Sequence, residues 1–208
     1  NRDKELWVIP QGMDFGHIND PARFAGLVRN EFYCLLAAGV SGMSWFMYPA
    51  MTDTEAWEAL KPLSAIGTRF GPLLLNLKRK TPTVAILASY ANASYQWSDG
   101  PSPGAFDGAP VRLYLSFLKA HIPVDFVADE EVLQGDLKKY QVLILPDIDY
   151  LTRSVYNAVI AFIARGGHVF TDESCELAIP GARVITNSAA ATEVRKVITP
   201  EFEVNTPD

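Results

Sequence analysis

The stretch YQVLILPDIDYLTRSVYNAVIAFIARGGHVF, residues 140–170, decides the fold of this chain. Residues 142–146 form a short, wholly apolar run that ends in Pro, which predicts a buried strand. From Thr152 through Ala164, apolar side chains recur at helical spacing, and Arg165-Gly166-Gly167 ends that helix. Another apolar strand begins at His168. A strand, a helix and a strand joined by short links predict two parallel strands, because the crossover returns the chain to the same side of the sheet.

The same alternation extends toward the N-terminus. Strands are predicted at residues 84–88 and 124–127, with a helix beginning at Pro110 between them. The core-facing positions of this helix are predicted to be Leu113, Tyr114, Phe117 and Leu118. Residues 90–109 are rich in Gly, Pro, Ser and Asp and predict a long loop, and residues 129–131 predict an acidic turn. Apolar strands alternating with helices predict a parallel sheet that is covered on both faces.

The first 80 residues predict a separate βαβ unit. An apolar strand at 6–10 is followed by Asp20 and Pro21, a helix cap and a first helical residue. That helix presents apolar residues on one face, ends at Gly39, and leads into a strand at 42–48. A long helical stretch over 54–77 contains Pro62 and Pro72, so we expect a kink or two shorter helices.

A polar, Pro-punctuated segment at residues 78–82 marks the best domain boundary. We therefore expect three parts: residues 1–80, residues 81–180, and a further segment or linker over 181–208. Because the chain begins at Asn1 directly before a strand, we expect it to be a portion of a longer protein.

Composition limits the classes of partner. The chain has 208 residues, of which 49% are hydrophobic and 20% charged, and a net charge of −6 with no basic cluster. A nucleic-acid interface needs Lys and Arg gathered on one face, so we expect no nucleic-acid partner. No apolar run approaches the roughly 20 residues that span a bilayer, so we expect no membrane partner. The two cysteines, Cys34 and Cys175, neither require nor exclude an oxidising compartment.

The order of these segments resembles a known arrangement. The runs at 84–87, 122–125, 140–146 and 162–169 are similar to the class I glutamine-amidotransferase-like domain that follows the barrel in β-galactosidases with a trimerisation domain. The segments 29–33 and 38–45 are similar to the seventh helix and eighth strand of a glycosidase barrel. The resemblance implies an α/β fold: the last βα units of a (β/α)8 barrel, followed by a flavodoxin-like parallel sandwich. It further implies a carbohydrate substrate, a homo-oligomer assembled through the second domain, and a secreted or periplasmic setting.

If residues 1–80 end a barrel, the loops after their strands face its catalytic end. Gln11, Asp14 and His17 are then predicted on one rim, and Trp45 and Tyr48 on the next. The flat apolar face of a Trp can stack on the C–H face of a sugar, so Trp45 is the main candidate for substrate binding. The alternative is that Trp45 packs between strands and helices.

Glycoside hydrolysis normally uses two carboxylates. In the resembled family these are glutamates after the fourth and seventh strands, yet the segment similar to the seventh strand ends here in Gln11, and an amide cannot act as a carboxylate nucleophile. Asp14 is the candidate catalytic carboxylate, and a solvated turn residue is the alternative. His17 has no partner for a metal or a base role.

The second domain is expected to lack catalysis of its own. Cys175 lies in the context Asp172-Glu173-Ser174-Cys175-Glu176, without the flanking Gly of a nucleophile elbow, and its neighbouring carboxylates should raise the thiol pKa. No phosphate-binding Gly motif follows the strand at 84–88 and no metal-ligand spacing occurs, so we expect neither cofactor nor metal. Tyr95 and Trp97 could stack on a ring or contact another subunit.

Three hypotheses follow from the sequence. The first is part of a β-galactosidase-like glycoside hydrolase, incomplete as this chain alone. The second is a non-catalytic carbohydrate-binding or oligomerisation module, favoured by the amide at Gln11. The third and weakest is a hydrolase that depends on Cys175.

Overall fold

The computed structural model describes residues 5–10, 21–37, 39–45, 54–76, 82–98 and 108–198. The chain divides into two compact units, Asn1–Lys80 and Thr81–Asp208. The described residues include no helix long and apolar enough to cross a bilayer.

The first unit contains a βαβ arrangement followed by a long helix. Strand β1 is Trp7–Val8, helix α1 is Pro21–Ala37, strand β2 is Gly42–Met43, and helix α2 is Thr54–Leu75. The two strands pair in parallel, Trp7 opposite Gly42, as the sequence predicted. A Cβ at position 42 would lie 2.5 Å from the Trp7 ring, so any larger residue there would require the exposed Trp7 side chain to move.

Helices α1 and α2 pack together through an apolar cluster. Phe24, Val28 and Phe32 of α1 are buried against Leu60 and Leu63 of α2. Leu27 of α1 is exposed, although the sequence pattern predicts an apolar face that would include it. Helix α2 continues through Pro62 and Pro72 rather than dividing into two helices.

The second unit is a parallel α/β domain, which confirms the predicted fold class. Its elements are, in chain order, strand β3 Val84–Ala88, helices α3 Tyr90–Ser98 and α4 Ala109–Lys119, strand β4 Val124–Ala128, helix α5 Asp129–Leu133, strand β5 Val142–Leu145, helix α6 Arg153–Ala164, strands β6 His168–Asp172 and β7 Arg183–Ile185, and helix α7 Ala190–Arg195. A short 3-10 helix, Asp136–Lys139, precedes β5. The strand order is β4-β3-β5-β6-β7, and every pair is parallel.

Alternating strand residues feed two cores. One face of the sheet presents Ala85, Leu87, Leu143, Leu145 and Val169 to α6. The other presents Val84, Ile86, Val142, Ile144 and Phe170 to α4 and α7. Full burial of a large aliphatic or aromatic side chain stabilises by about 1.5–3 kcal/mol, so the central strands contribute most of the hydrophobic stabilisation of this unit.

Three segments differ from the sequence prediction. Residues 90–98, expected in a loop, form helix α3, and the acidic turn at 129–131 is the start of helix α5. The chain after residue 180 continues the same sheet, because β7 pairs with β6 and α7 covers the face shared with α4. Leu118, expected in the core, is exposed, since Leu113 and Phe117 already fill the buried face of α4.

Candidate functional site

The carboxyl ends of β3 and β5 are where a ligand site is expected in this fold. The chain leaves β3 toward β4 on one side and leaves β5 toward β6 on the other, so the strand order reverses between these two strands. Open α/β sheets bind ligands in the crevice at such a switch point. The residues that follow the two strands, which we call the carboxyl edge, are Ser89, Asn92 and Gln96 after β3, and Asp147 and Asp149 after β5.

Asn92 joins the two sides of this crevice. Its buried side chain donates from Nδ2 to the carbonyl oxygen of Asp147 at 2.9 Å. Its Oδ1 accepts from the backbone N–H groups of Asp149 at 2.9 Å and Tyr150 at 3.0 Å. One amide therefore satisfies three backbone groups of the loop that follows β5.

Gln96 adds a second link one turn further along α3. Its Nε2 donates to the carbonyl oxygen of Asp147 at 3.0 Å and to Oδ2 of Asp149 at 2.9 Å. The side chains of Asn92 and Gln96 thus cross the crevice. In other folds of this class such groups would orient a ligand, but here they bind the loop that follows β5.

The start of helix α3 depends on a residue from β4's end of the sheet. Oδ2 of the buried Asp129 accepts from Ser89 Oγ at 2.9 Å and from the Ala91 N–H at 3.1 Å. Ser89 Oγ in turn accepts from the Asn92 N–H at 3.1 Å. These bonds satisfy N–H groups that a helix start leaves open, which explains why a stretch of loop-like composition is helical.

A further carboxylate, Asp172 at the end of β6, lies under the loop. Its Oδ1 accepts from the Asp147 N–H at 2.9 Å, and Asp147 has a left-handed backbone with φ of 52°. Burial raises the pKa of Asp147, and the charges of Asp149 and Asp172 raise it further. Because Asn92, Gln96 and Asp172 all hydrogen-bond to this segment, Asp147 and Asp149 belong to a hydrogen-bonded turn.

Cys175 is not arranged as a nucleophile. Its Sγ donates to the carbonyl oxygens of Ile148 at 3.1 Å and Leu177 at 3.5 Å. Burial raises the pKa of the thiol, with a smaller contribution from Asp172 and Asp149. The direction is the one predicted from sequence, but the main cause is burial rather than the adjacent carboxylates. Within the described ranges no group of three or more His, Cys, Asp or Glu side chains could hold a metal ion.

Trp45 is the one residue of the predicted carbohydrate site that lies in the described ranges. It is half-buried and packs against the cluster formed by α1 and α2. Part of the indole therefore contributes to packing, and the rest is accessible. The other four candidates, Gln11, Asp14, His17 and Tyr48, lie outside the described residues.

Sequence reasoning missed the aromatic pair beside the carboxyl edge. The rings of Tyr95 and Tyr150 are stacked, with centroids 5.4 Å apart and planes at 16°, and both are exposed. Tyr95 was noted in the sequence, but Tyr150 was not, because the contact joins residues 55 positions apart. The side chain of Trp97 lies outside the described residues.

The fold and these contacts define a flavodoxin-like parallel domain whose usual ligand crevice is crossed by its own side chains. Residues 83–174, somewhat under half of the chain, match the family model of the beta-galactosidase trimerisation domain. The whole of this match lies within the second unit.

Solved structures show the same fold over most of the chain. An exo-carrageenase of family GH42 from Bacteroides ovatus is similar with a TM-score of 0.64 and 12% identity, over 89% of this chain and 28% of its own. A beta-galactosidase from Bacillus circulans sp. alkalophilus is similar with a TM-score of 0.57 and 22% identity, over 79% of this chain and 26% of its own. Alpha-L-fucosidase isoenzyme 2 from Paenibacillus thiaminolyticus is similar with a TM-score of 0.56 and 22% identity, over 81% of this chain and 25% of its own.

This chain spans about a quarter of the length of each of those structures. At these identities the likeness shows the fold. No curated protein matches the sequence.

Proposed function

We propose that this chain forms part of a β-galactosidase-like glycoside hydrolase, in which the second unit assembles subunits and carries no catalysis of its own. The observation that supports this most is the match of residues 83–174 to a trimerisation domain. The crossed crevice and the protonated, hydrogen-bonded thiol of Cys175 support the second half of the proposal, because neither leaves an activated group for chemistry.

The carbohydrate site is proposed for the first unit. The βαβ arrangement and the similar glycosidase structures support an interpretation of this unit as the last part of a barrel, whose strands end at the catalytic face. Trp45, two residues after β2, would then offer its accessible ring surface to a sugar, with Tyr48 on the same rim and Gln11 and His17 on the neighbouring one. Asp14 remains the candidate carboxylate of this chain.

The sugar is open within this proposal. Similar structures act, by their names, as a beta-galactosidase, an exo-carrageenase and an alpha-L-fucosidase. One fold therefore serves several sugars, and specificity must come from side chains at the barrel rim.

The test is hydrolysis of a panel of chromogenic glycosides by the full-length protein, with Trp45→Ala and Trp57→Ala compared. Both indoles pack against the α1–α2 cluster, so both variants lose packing. Only Trp45 is placed at a strand end. We expect kcat/KM to fall at least about tenfold, roughly 1.4 kcal/mol, in Trp45→Ala alone.

Equal losses in the two variants would assign Trp45 to packing and remove it from the sugar site. No cleavage of any glycoside would instead favour the second hypothesis, a non-catalytic assembly module, in which Gln11 marks an absent nucleophile.

A further inference from the structure

A cavity of about 470 Å³ lies beside the amino ends of β5 and β6 in the second unit. Because all strands of the sheet are parallel, this cavity and the carboxyl edge are at opposite ends of the sheet. Small organic ligands bind in cavities of roughly 300–1,000 Å³, so the volume suits one. We call it the amino-edge cavity, and its lining includes Lys138, Tyr140, Phe162, Arg165, Gly167 and His168.

The lining of this cavity is basic, although the chain has a net charge of −6. Among the described residues that line it, none is Asp or Glu. Lys138, Arg165 and His168 come from three elements: the short 3-10 helix, the C-terminal end of α6 and the first residue of β6. A basic residue at the end of α6 suits the negative end of the helix dipole, but that accounts for Arg165 alone. The other two need a different explanation.

Arg165 is held in place by an aromatic ring. Its Cζ lies 5.1 Å from the centroid of the Phe162 ring, and that ring is itself buried. A Cβ at position 167 would collide with the ring, so Gly167 leaves the space that the ring occupies. Stacking uses the flat face of a guanidinium and leaves the N–H groups at its edge to bind an anion in a fork.

The acidic groups near the cavity have partners of their own. Oδ2 of Asp136 accepts from Lys139 Nζ at 2.5 Å, and Lys138 contributes less than Lys139 to lowering the pKa of Asp136. Oδ2 of Asp125 accepts from the Tyr140 hydroxyl at 3.4 Å. In the described part of this unit, neither ion pair includes a basic residue of the cavity. The positive charge of the lining is therefore not neutralised by an ion pair.

We propose that the amino-edge cavity binds a phosphate group. A phosphate carries nearly two negative charges at neutral pH and has at least three acceptor oxygens. Arg binds such a group in a bidentate fork and Lys binds it as a point charge, so three basic side chains favour phosphate over a single carboxylate. One water molecule takes up about 30 Å³ of the liquid, so the cavity has room for a phosphate and for a small organic group attached to it.

The same chemistry is offered by free phosphate and by a phosphate monoester, and calorimetric titration of the full-length protein separates the two. The probes are inorganic phosphate and glycerol 3-phosphate, with glycerol and acetate as controls, at an ionic strength held constant with chloride. We expect both phosphates to bind saturably with a Kd of about 1 mM or below, and the controls to bind at least tenfold more weakly. Tighter binding of glycerol 3-phosphate assigns the site to an ester, and equal binding assigns it to the free ion.

Helix α6 offers a matched pair of variants. Arg165 and Arg153 are both exposed, but Arg153 begins the helix at its other end and does not line the cavity. Arg165→Gln and Arg153→Gln remove the same charge, so effects of net charge are equal in the two. We expect the Kd for inorganic phosphate to rise at least tenfold in Arg165→Gln, about 1.4 kcal/mol, and to stay within about twofold in Arg153→Gln.

Circular dichroism shows whether each variant is folded. If Arg165→Gln is not, Lys138→Gln takes its place, because Lys138 is exposed and lines the same cavity. A wild type that binds neither phosphate saturably would overturn the proposal, as would acetate that binds as tightly as phosphate. Equal losses in the two arginine variants, or no loss in Arg165→Gln, would place any bound phosphate outside this cavity and overturn it too. None of these measurements uses glycoside cleavage or subunit assembly, so their failure leaves the proposed function untouched.

Discussion

Two regions of the second unit are built in opposite ways: the carboxyl edge after β3 and β5, and the exposed apolar surface along α4 and β4. At the carboxyl edge, buried polar side chains such as Asn92 and Asp172 are used to hold backbone groups of neighbouring loops. Along α4 and β4, by contrast, Leu115, Leu118 and Phe126 remain exposed beside a core that other residues already fill. The position where this fold usually binds small ligands is therefore crossed by Asn92 and Gln96, whereas the edge strand that usually needs protection exposes apolar side chains. The comparison shows that one edge of the sheet uses its buried polar groups to hold loops, whereas another leaves apolar surface exposed.

The largest expected effect is at Asn92. Asn92→Ala removes the partner of the Asp149 and Tyr150 N–H groups in a part-buried loop, and each unsatisfied group costs about 1–3 kcal/mol. We expect the free energy of unfolding to fall by about 2–4 kcal/mol in urea titrations of the 208-residue chain. Asn157→Ala, on the exposed face of α6, is the control and should change it by less than about 0.5 kcal/mol. A loss at Asn92 no larger than that of the control would contradict the interpretation of the carboxyl edge as a structural network.

The next effect is at Ser89. Ser89→Ala removes the hydroxyl that accepts from Asn92 N–H and donates to Asp129, so helix α3 loses a cap and Asp129 loses a donor. Loss of a capping hydroxyl costs about 0.5–2 kcal/mol, and a stability loss of this size is expected. Hydrogen exchange of the α3 amides would show whether the loss is local. Ser94→Ala, exposed on the same helix, should leave their protection unchanged.

A smaller change in the free energy of unfolding is expected for a substitution on the exposed apolar surface of α4. Leu115→Gln replaces an exposed apolar side chain whose helix face is not part of the core, so the free energy of unfolding should stay within about 0.5 kcal/mol of the wild type. Thermal unfolding at a concentration where the protein is monomeric checks this. A loss above about 2 kcal/mol would mean that the side chain packs within its own unit.

The smallest effect is the pH dependence at Asp147. Its pKa in the folded protein is raised by burial and by neighbouring carboxylates, so ionisation disfavours the folded state and the wild type loses stability as the pH rises above about 3.8, the ordinary value. Asp147→Asn removes that charge, and Asn tolerates the left-handed backbone. The variant should gain stability over the wild type between about pH 4 and pH 7.

Asp136 provides a control of opposite sign. A hydrogen bond from Lys139 at 2.5 Å lowers the pKa of Asp136, so its contribution is present above the ordinary pKa and is lost as the pH falls. Asp136→Asn should therefore be less stable than the wild type by a constant amount above about pH 3.8, and this difference should shrink as the pH falls below that value, whereas the gain of Asp147→Asn grows as the pH rises above it. The same pH trend in both variants would contradict the assigned causes.

The sequence alone determined the order of most strands and helices, the parallel pairing and the division near residue 80. These features follow from local patterns: apolar runs of strand length, helical periodicity, and Gly or Pro at the ends of elements. It also indicated the non-nucleophilic character of Cys175, because the residues that disfavour a thiolate are partly its neighbours in the chain.

Only the tertiary structure decided which side chains meet at the carboxyl edge and which apolar side chains of α4 and β4 stay exposed. Helix α3 forms where composition predicts a loop because Asp129, some 40 residues away, caps its start. Asn92 finds its partners 55 to 58 positions further along the chain. Leu118 is exposed because other residues of α4 already fill the core. Side-chain partners at such separations are set by how the sheet brings distant segments together, which no local pattern specifies.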